Sequence, residues 1–201
     1  MVEIAQSGKL ERRSVVRALL EDRGDMLAIG GLGAPAWDIT AAGDSPLNLP
    51  LWGGMGGAAM MGLGLALAQP DRRVLVVTGD GEMLMGIGSL ATIATKQPRN
   101  LSVVVLDNEH YGETGMQETA TRHGVDLAGM ARAAGITDSR RVETPEQVLA
   151  LRDAIRAGQG PLFAQVKIDA ASLPLVLPPR EAAILQARMR EAILGPEAHL
   201  Q

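Results

Sequence analysis

The stretch Arg73–Gln117 reads RVLVVTGDGEMLMGIGSLATIATKQPRNLSVVVLDNEHYGETGMQ and decides the fold. Its two apolar runs, Val74–Thr78 and Leu101–Leu106, are short and rich in valine, which predicts two buried strands. Between them, Met83–Thr95 has the spacing of a helix. A strand, a helix and a second strand of these lengths predict a right-handed crossover, so both strands are parallel and end at the same edge of a sheet.

The rest of the chain continues the alternation of strands and helices. An amphipathic helix is predicted from the apolar residues between Leu10 and Leu20, and short strands and further helices follow it. We therefore expect an α/β fold, a single doubly wound parallel sheet with helices on both faces. Met60 and Met61 are expected in its core. The predicted strands are Met26–Ile29, Leu47–Trp52, Arg140–Val142 and Leu162–Ile168, and the predicted helices are Gly56–Ala68, Val125–Ala134 and Pro145–Ala157.

The C-terminal region differs in composition from the rest of the chain. Three prolines, at 174, 178 and 179, precede a helical pattern over Arg180–Leu194. We expect residues 1–170 to form one domain and residues 171–201 to form a Pro-rich segment and a C-terminal helix. That helix packs either on its own domain or, as an arm, on a partner, because periodicity does not distinguish the two.

Composition excludes several classes of function. The chain has 201 residues, a net charge of −4 and no cysteine. The net charge offers no basic field for nucleic acid or for an anionic membrane, and no apolar run is long enough to span a bilayer. The absence of cysteine rules out disulfides, thiolate nucleophiles and cysteine-held iron–sulfur clusters. We expect a cytoplasmic protein that binds neither nucleic acid nor membrane.

Polar residues stand at the ends of the two strands that the stretch predicts. Gly79-Asp80-Gly81 follows the first strand and precedes a helix, and Asp107-Asn108 follows the second, with 26 residues between Gly81 and Asn108. Ligands of open parallel sheets bind beyond the carboxyl ends of the strands. Carboxylate and amide oxygens suit Mg²⁺, and the start of a helix favours an anionic diphosphate. The pattern predicts a magnesium-diphosphate site, although Asp80 by itself could equally be a helix N-cap.

These residues resemble the diphosphate-binding domain of thiamine diphosphate enzymes, whose signature is GDG followed by an Asn-containing pair. Within that family, two segments are most similar to the small subunits of sulfopyruvate decarboxylase and to phosphonopyruvate decarboxylase. Their sequences are GDGEMLMGIGSLATIA and LDNEHYGETGMQ. The resemblance runs from about Met26 to Ile168. It implies a Mg²⁺ ion bound by Asp80, Asn108 and the backbone carbonyl of His110. It also implies contacts to the cofactor from Gly31, Gly54, Gly79, Gly81, Glu82, Tyr111 and Gly112.

A second segment, LWGGMGGAAMMGLGLALA over residues 51–68, resembles the part of the family that contacts the aminopyrimidine ring. The resemblance assigns catalytic positions to two residues: the backbone carbonyl of Gly53 contacts the amino group, and Met55 lies beneath the cofactor. Met55 could instead be an ordinary core methionine. Among the other ionisable residues, His110 and Glu113 are candidates for proton transfer, and His123 is expected at the surface or in a capping role.

The resemblance implies a partner as well. In the family, the glutamate that activates the cofactor lies on a separate pyrimidine-binding domain, for which 201 residues leave no room. We therefore expect the diphosphate-binding subunit of a two-chain 2-oxo acid decarboxylase, a hetero-oligomer built from dimers, with an alpha subunit that carries the glutamate. The alternatives are the beta subunit of a 2-oxo acid oxidoreductase or carboligase, and a non-catalytic cofactor-binding module. Zero cysteine argues against the cluster-bearing oxidoreductases.

Overall fold

One parallel sheet forms the centre of the protein, as the computed structural model shows for residues 1–199. Its strands are β1 (Leu27–Gly30), β2 (Asn48–Pro50), β3 (Val74–Gly79), β4 (Leu101–Asp107), β7 (Asp138–Val142) and β8 (Leu162–Lys167). They lie in the order β2-β1-β3-β4-β8-β7, and every neighbouring pair is parallel. A small antiparallel hairpin of β5 (His110–Tyr111) and β6 (Gln117–Glu118) follows β4.

Helices cover both faces of this sheet. They are α1 (Arg12–Leu20), α2 (Ala34–Ala41), α3 (Ala58–Ala68), α4 (Asp80–Met85), α5 (Ser89–Lys96), α6 (Leu127–Ala134), α7 (Pro145–Ala157) and α8 (Ala182–Leu194). Successive residues of a strand point to opposite faces, and the core divides accordingly. Leu75 and Val77 belong to one apolar cluster with α1 and α7, whereas Val74 and Val76 belong to a second with α3, α5 and α6. The predicted doubly wound α/β fold is confirmed.

The predicted helix Met83–Thr95 is wrong in one respect, because it is broken into α4 and α5. The break falls at Gly86, whose backbone lies against the loop before α3: a Cβ atom there would overlap the carbonyl oxygen of Gly56. The close approach of two backbones needs glycine and displaces the chain from a continuous helix. Helical spacing of the apolar residues continues across the break, so the pattern alone does not reveal it.

The expectation that Met60 and Met61 lie in the core is also wrong, since they are 41% and 46% exposed. Helix α3 is apolar on all sides, so its sequence does not indicate which face packs on the sheet. Gly62 decides the orientation, because its missing side chain lets the helix approach Val76 of β3. The two methionines therefore point outward.

The C-terminal helix α8 packs on its own domain. Leu185 and Met189 are buried, and Arg188 donates hydrogen bonds of 2.8 and 2.7 Å to both carboxylate oxygens of Asp44. The helix lies against β2, which is an edge strand of the sheet. It thus covers an edge that would otherwise expose unpaired backbone groups.

In the part of the chain that the structure describes, no helix is both long and apolar enough to cross a membrane.

We predict that Gly86→Ala lowers the free energy of unfolding by about 1–3 kcal/mol, because the added methyl group forces apart two packed backbones. Gly88→Ala is the matched control, since a Cβ atom at Gly88 meets no other atom within 4 Å. This control should change stability by less than about 0.5 kcal/mol. Urea unfolding of the two variants measures the difference, and equal midpoints would contradict the packing argument.

Candidate functional site

A cavity of about 380 Å³ opens at the carboxyl edge of the sheet. The chain leaves β1 toward β2 on one side, whereas it leaves β3 toward β4 on the other, so the loops after β1 and β3 diverge. A crevice of this kind is where open α/β sheets bind their ligands. Of the predicted site residues, those that line the cavity are Met55, Gly79, Asp80, Gly81, Glu82, Asn108, His110, Tyr111 and Gly112.

Asp80 is buried at the bottom of this cavity, where it is the first residue of α4. Gly79 holds the N-cap position, so the Asp80 side chain is not the helix cap. Its carboxylate accepts hydrogen bonds from the hydroxyl groups of Thr119 and Thr121, at 2.5 and 2.9 Å. Burial, together with the nearby charge of Asp107, raises the pKa of Asp80 to about 6. Hydroxyl groups solvate this carboxylate without neutralising it, and no ion pair to it occurs among the described residues.

Asn108 lies beyond the end of the neighbouring strand, in a tight turn. Its side-chain oxygen accepts a hydrogen bond of 3.0 Å from the backbone N–H of His110. Glu109 between them has a positive φ of 67°, which turns the chain sharply away from β4. The imidazole Nδ1 of His110 donates to the backbone carbonyl of Asn108 at 2.8 Å, since that carbonyl can only accept. The His110 imidazole is thus hydrogen-bonded within the turn to which His110 belongs.

A buried polar network supports this edge from below, and sequence patterns indicate little of it. Asp107 accepts hydrogen bonds from Gln165 at 2.6 Å and from the ammonium group of Lys167 at 2.9 Å. The Thr121 hydroxyl is 2.8 Å from Asp107 and can donate its single proton there instead of to Asp80. Lys167 also donates to Glu109 at 2.6 Å, and this bond lowers the pKa of Glu109 to about 2. The one signal in the sequence is a pair of polar residues, Gln165 and Lys167, in the otherwise apolar strand β8.

Glu82 is buried beside Asp80 and connects three loops. Its carboxylate accepts from the hydroxyl of Thr78 at 2.8 Å and from the backbone N–H of Ala58 at 3.4 Å. Burial raises the pKa of Glu82, against the lowering effect of these donors and of the nearby backbone amides of Gly56 and Leu32. The side chain therefore ties the loops after β1 and β2 to the start of α4.

Two predicted site glycines make room for other side chains of the protein. A Cβ atom at Gly31 would overlap the carboxylate of Glu82, and one at Gly81 would overlap the ring of Tyr111. Gly31 is not among the residues that line the cavity. Its lack of a side chain serves the packing of Glu82.

The loop before α3 brings Met55 to the cavity but leaves its neighbours outside. Met55 is 38% exposed, so it is not a core methionine. Gly53 and Gly54 are exposed and do not line the cavity.

The cavity also contains residues that the sequence patterns did not indicate, among them Arg12 and Met85. Glu113, a candidate for proton transfer, lines it as well. His123 lies at the surface, as expected, 3.2 Å from Glu118.

The oxygen donors at this edge suit a magnesium ion that is bound partly by the protein and partly by a phosphate group. Within residues 1–199, no group of three or more His, Asp or Glu side chains is placed to bind a metal without other donors. Asp80 offers one unneutralised carboxylate and Asn108 one amide oxygen, at the ends of adjacent strands. Mg²⁺ commonly completes such a set with substrate phosphate and water. The residues present therefore fit a magnesium-bound diphosphate.

Comparison with known proteins gives a consistent result. The family described as "Thiamine pyrophosphate enzyme, C-terminal TPP binding domain" matches residues 33–166. Sulfopyruvate decarboxylase subunit beta of Methanothermobacter thermautotrophicus is 37% identical over 83% of this chain and 88% of its own length. Phosphonopyruvate decarboxylase of Streptomyces viridochromogenes is 34% identical over 98% of this chain, which spans only 51% of that protein.

Among solved structures, a putative thiamin diphosphate-dependent enzyme from Mycobacterium smegmatis superposes with a TM-score of 0.67. The two are 22% identical, and the match covers 80% of this chain and 32% of the other. This similarity supports the fold, and the family match covers both the GDG segment and Asn108. The chain belongs to the family of C-terminal, thiamine pyrophosphate-binding domains of thiamine pyrophosphate enzymes.

Proposed function

We propose that this chain is the diphosphate-binding subunit of a two-chain, thiamine diphosphate-dependent decarboxylase that acts on a small 2-oxo acid, of the sulfopyruvate or phosphonopyruvate type. The single observation that carries the proposal is the buried, unneutralised carboxylate of Asp80 beside Asn108, at the bottom of a cavity at the switch point of the sheet. The relatives named above support the reaction class, because both are decarboxylases of 2-oxo acids.

Asp80, the Asn108 side chain and the His110 backbone carbonyl would hold Mg²⁺. Gly79, Gly81 and Gly112 line the cavity without side chains, which allows a diphosphate to approach the backbone. Tyr111, whose ring packs against Gly81, and Glu82 also line the cavity. When bound, thiamine diphosphate supplies the electron sink for decarboxylation.

The rest of the cofactor would extend toward the loop before α3. There the Gly53 carbonyl is proposed to orient the aminopyrimidine, together with Gly54, and Met55 to support the cofactor from below. Met55 and Met85 form an apolar part of the wall, next to the polar edge at Asp80. An apolar wall of this kind excludes water and strengthens electrostatic interactions within the site.

A partner subunit is needed to complete the site. The relatives named subunit beta imply one, and the Streptomyces relative is about twice as long as the part that this chain matches. Two carboxylates of the cavity, Asp80 and Glu82, accept hydrogen bonds from Thr119 and Thr78, and we propose that both act at the diphosphate end. We propose that the activating glutamate lies on this partner, an alpha subunit, in a hetero-oligomer built from dimers.

The surface around the cavity supports this proposal. Segment 51–69 contains no charged residue, and neither does segment 83–95. Met60, Met61 and Leu67 of α3 are exposed, and so are Met55 and Met85, which also line the cavity. Several exposed, large apolar side chains in uncharged segments are typical of a protein–protein contact. A partner that covers it would also close the mouth of the cavity.

We predict that binding of thiamine diphosphate requires Mg²⁺ and that Asp80→Asn weakens it on the order of a hundredfold, since loss of a charged ligand costs at least as much as loss of its supporting contacts. Calorimetry with and without chelator measures both effects. Asp126→Asn is the control, because Asp126 caps α6 away from the cavity. Unchanged affinity in Asp80→Asn would contradict the metal site.

We predict that Met55→Ala leaves binding of Mg²⁺ and pyrophosphate intact but slows turnover of the assembled enzyme by roughly 10- to 100-fold, because the cofactor loses the support that orients it. Met130→Ala, at a methionine of similar exposure on α6, should have no effect. Steady-state kinetics and pyrophosphate titration separate the two effects. Loss of pyrophosphate binding in Met55→Ala would show that the residue acts on the fold.

We predict that the chain alone releases no CO₂ from 2-oxo acids and gains this activity only with a partner that carries a pyrimidine-binding domain. Met61→Lys places a charge in the exposed apolar surface and should abolish the gain while the chain stays folded, because burying an unpaired charge opposes association. A coupled CO₂ assay against a panel of 2-oxo acids measures this. Steady turnover by the chain without a partner would refute the two-chain proposal.

A further inference from the structure

We infer that the C-terminal tail (residues 171–199) positions the β2–α3 loop (residues 51–57), and that Trp52 is the positioning residue that connects the two. The inference rests on the proposed function of that loop, which places Gly53 and Met55 at the cofactor. The tail lies outside residues 33–166, the part that matches the family. It is therefore a feature that the family match does not explain.

The β2–α3 loop has little internal structure to hold it. A Cβ atom at Gly53 or Gly54 would meet no other atom within 4 Å, so the protein does not pack around this part. Gly54 and Gly56 have positive φ angles of 73° and 91°, and glycine has wide conformational freedom in the unconstrained chain. Without an external contact, the outer part of the loop would sample many conformations.

The two ends of the loop are fixed from the side of the sheet. The backbone N–H of Leu51 donates to Gly30 at 2.8 Å, and that of Ala58 donates to the carboxylate of Glu82 at 3.4 Å. Within the loop, Gly57 donates to the carbonyl of Gly54 at 2.9 Å. These bonds hold the inner side of the loop.

Trp52 supplies the contact on the outer side. Its indole N–H donates to the backbone carbonyl of Pro179 at 2.8 Å, across 127 residues of sequence. Trp52 directly precedes Gly53, so a fixed indole restricts the backbone from which the Gly53 carbonyl points. A tail residue thus determines where the loop begins its turn toward the cavity.

The tail can serve as an anchor because it is itself fixed at several points. Arg13 of α1 donates to the carbonyl of Pro174 at 2.8 Å. Beyond Pro179, Leu185 and Met189 are buried, and Arg188 binds Asp44 through two hydrogen bonds. Pro179 therefore lies between two attached segments, and its carbonyl offers a rigid acceptor for the indole.

The test removes the indole N–H and keeps an aromatic ring, in Trp52→Phe. Amide exchange at Gly57 should become about twofold to tenfold faster, the factor that corresponds to the net contribution of one hydrogen bond. The affinity for thiamine diphosphate with Mg²⁺ should fall by a similar factor, whereas the affinity for inorganic pyrophosphate with Mg²⁺ should not change. Trp37→Phe, on α2, is the control, because within residues 1–199 the Trp37 indole makes no hydrogen bond to the tail. A loss of stability alone would affect both ligands equally.

A second pair of variants tests the tail at a distance from the loop. Arg188→Met loosens α8 without touching any loop residue, and it should also accelerate exchange at Gly57. Arg152→Met is its matched control: both arginines bind a carboxylate, and their side chains are 21% and 20% exposed. Arg152 lies on α7, on the other face of the sheet from α3.

Unchanged exchange at Gly57 in Trp52→Phe, or in Arg188→Met, would overturn the inference. An equal loss of affinity for thiamine diphosphate and for pyrophosphate in Trp52→Phe would overturn it too, since the tail would then act on the whole fold. The exchange results can be distinguished from a failure of the proposed function. If Asp80→Asn binds thiamine diphosphate normally, the proposed site fails, while the exchange data still report on the tail.

Discussion

The carboxylate of Asp80 is the constraint on which the rest of the site depends. A buried charge without a partner costs several kcal/mol, and proteins pair such groups or bind a metal with them. Here the protein treats two neighbouring carboxylates differently. Asp107 is neutralised by the ammonium group of Lys167, whereas Asp80 accepts hydrogen bonds from hydroxyl groups and has no cationic partner within residues 1–199. The Thr121 hydroxyl lies between the two carboxylates, 2.9 Å from Asp80 and 2.8 Å from Asp107, and donates its single proton to one of them at a time. This arrangement leaves one carboxylate, at a defined position, without a cationic partner among the described residues.

The glycines of the site serve contacts within the protein as much as contacts with a ligand. Gly31 makes room for Glu82, Gly81 for the ring of Tyr111, and Gly86 for the backbone at Gly56. Through these contacts the loops after three strands pack closely against one another. The cavity is consequently assembled from segments that hold each other in position, and the free glycines of the β2–α3 loop are the exception.

The surfaces at β2 and at α3 differ in whether the chain itself covers them. The tail covers the edge strand β2 and holds the outer side of the β2–α3 loop. Helix α3 keeps exposed apolar side chains, Met60, Met61 and Leu67, and Met55 in the loop before it is exposed at the cavity wall. The chain itself therefore covers the surface at β2, whereas the exposed apolar surface at α3 resembles one that a partner covers.

The sequence by itself determined the class of fold and the centre of the site. Short valine-rich runs at crossover spacing indicate parallel strands, and parallel strands bring Asp80 and Asn108 to one edge, whatever the details of packing. The tertiary structure alone decided the break at Gly86, the outward direction of Met60 and Met61, and the docking of the tail. It also decided the support of Asp80 by Thr119 and Thr121, which lie 39 and 41 residues away in sequence. Local periodicity shows how apolar and polar residues are spaced along one segment. Contacts between segments depend on which backbones approach each other, and a single sequence does not show this.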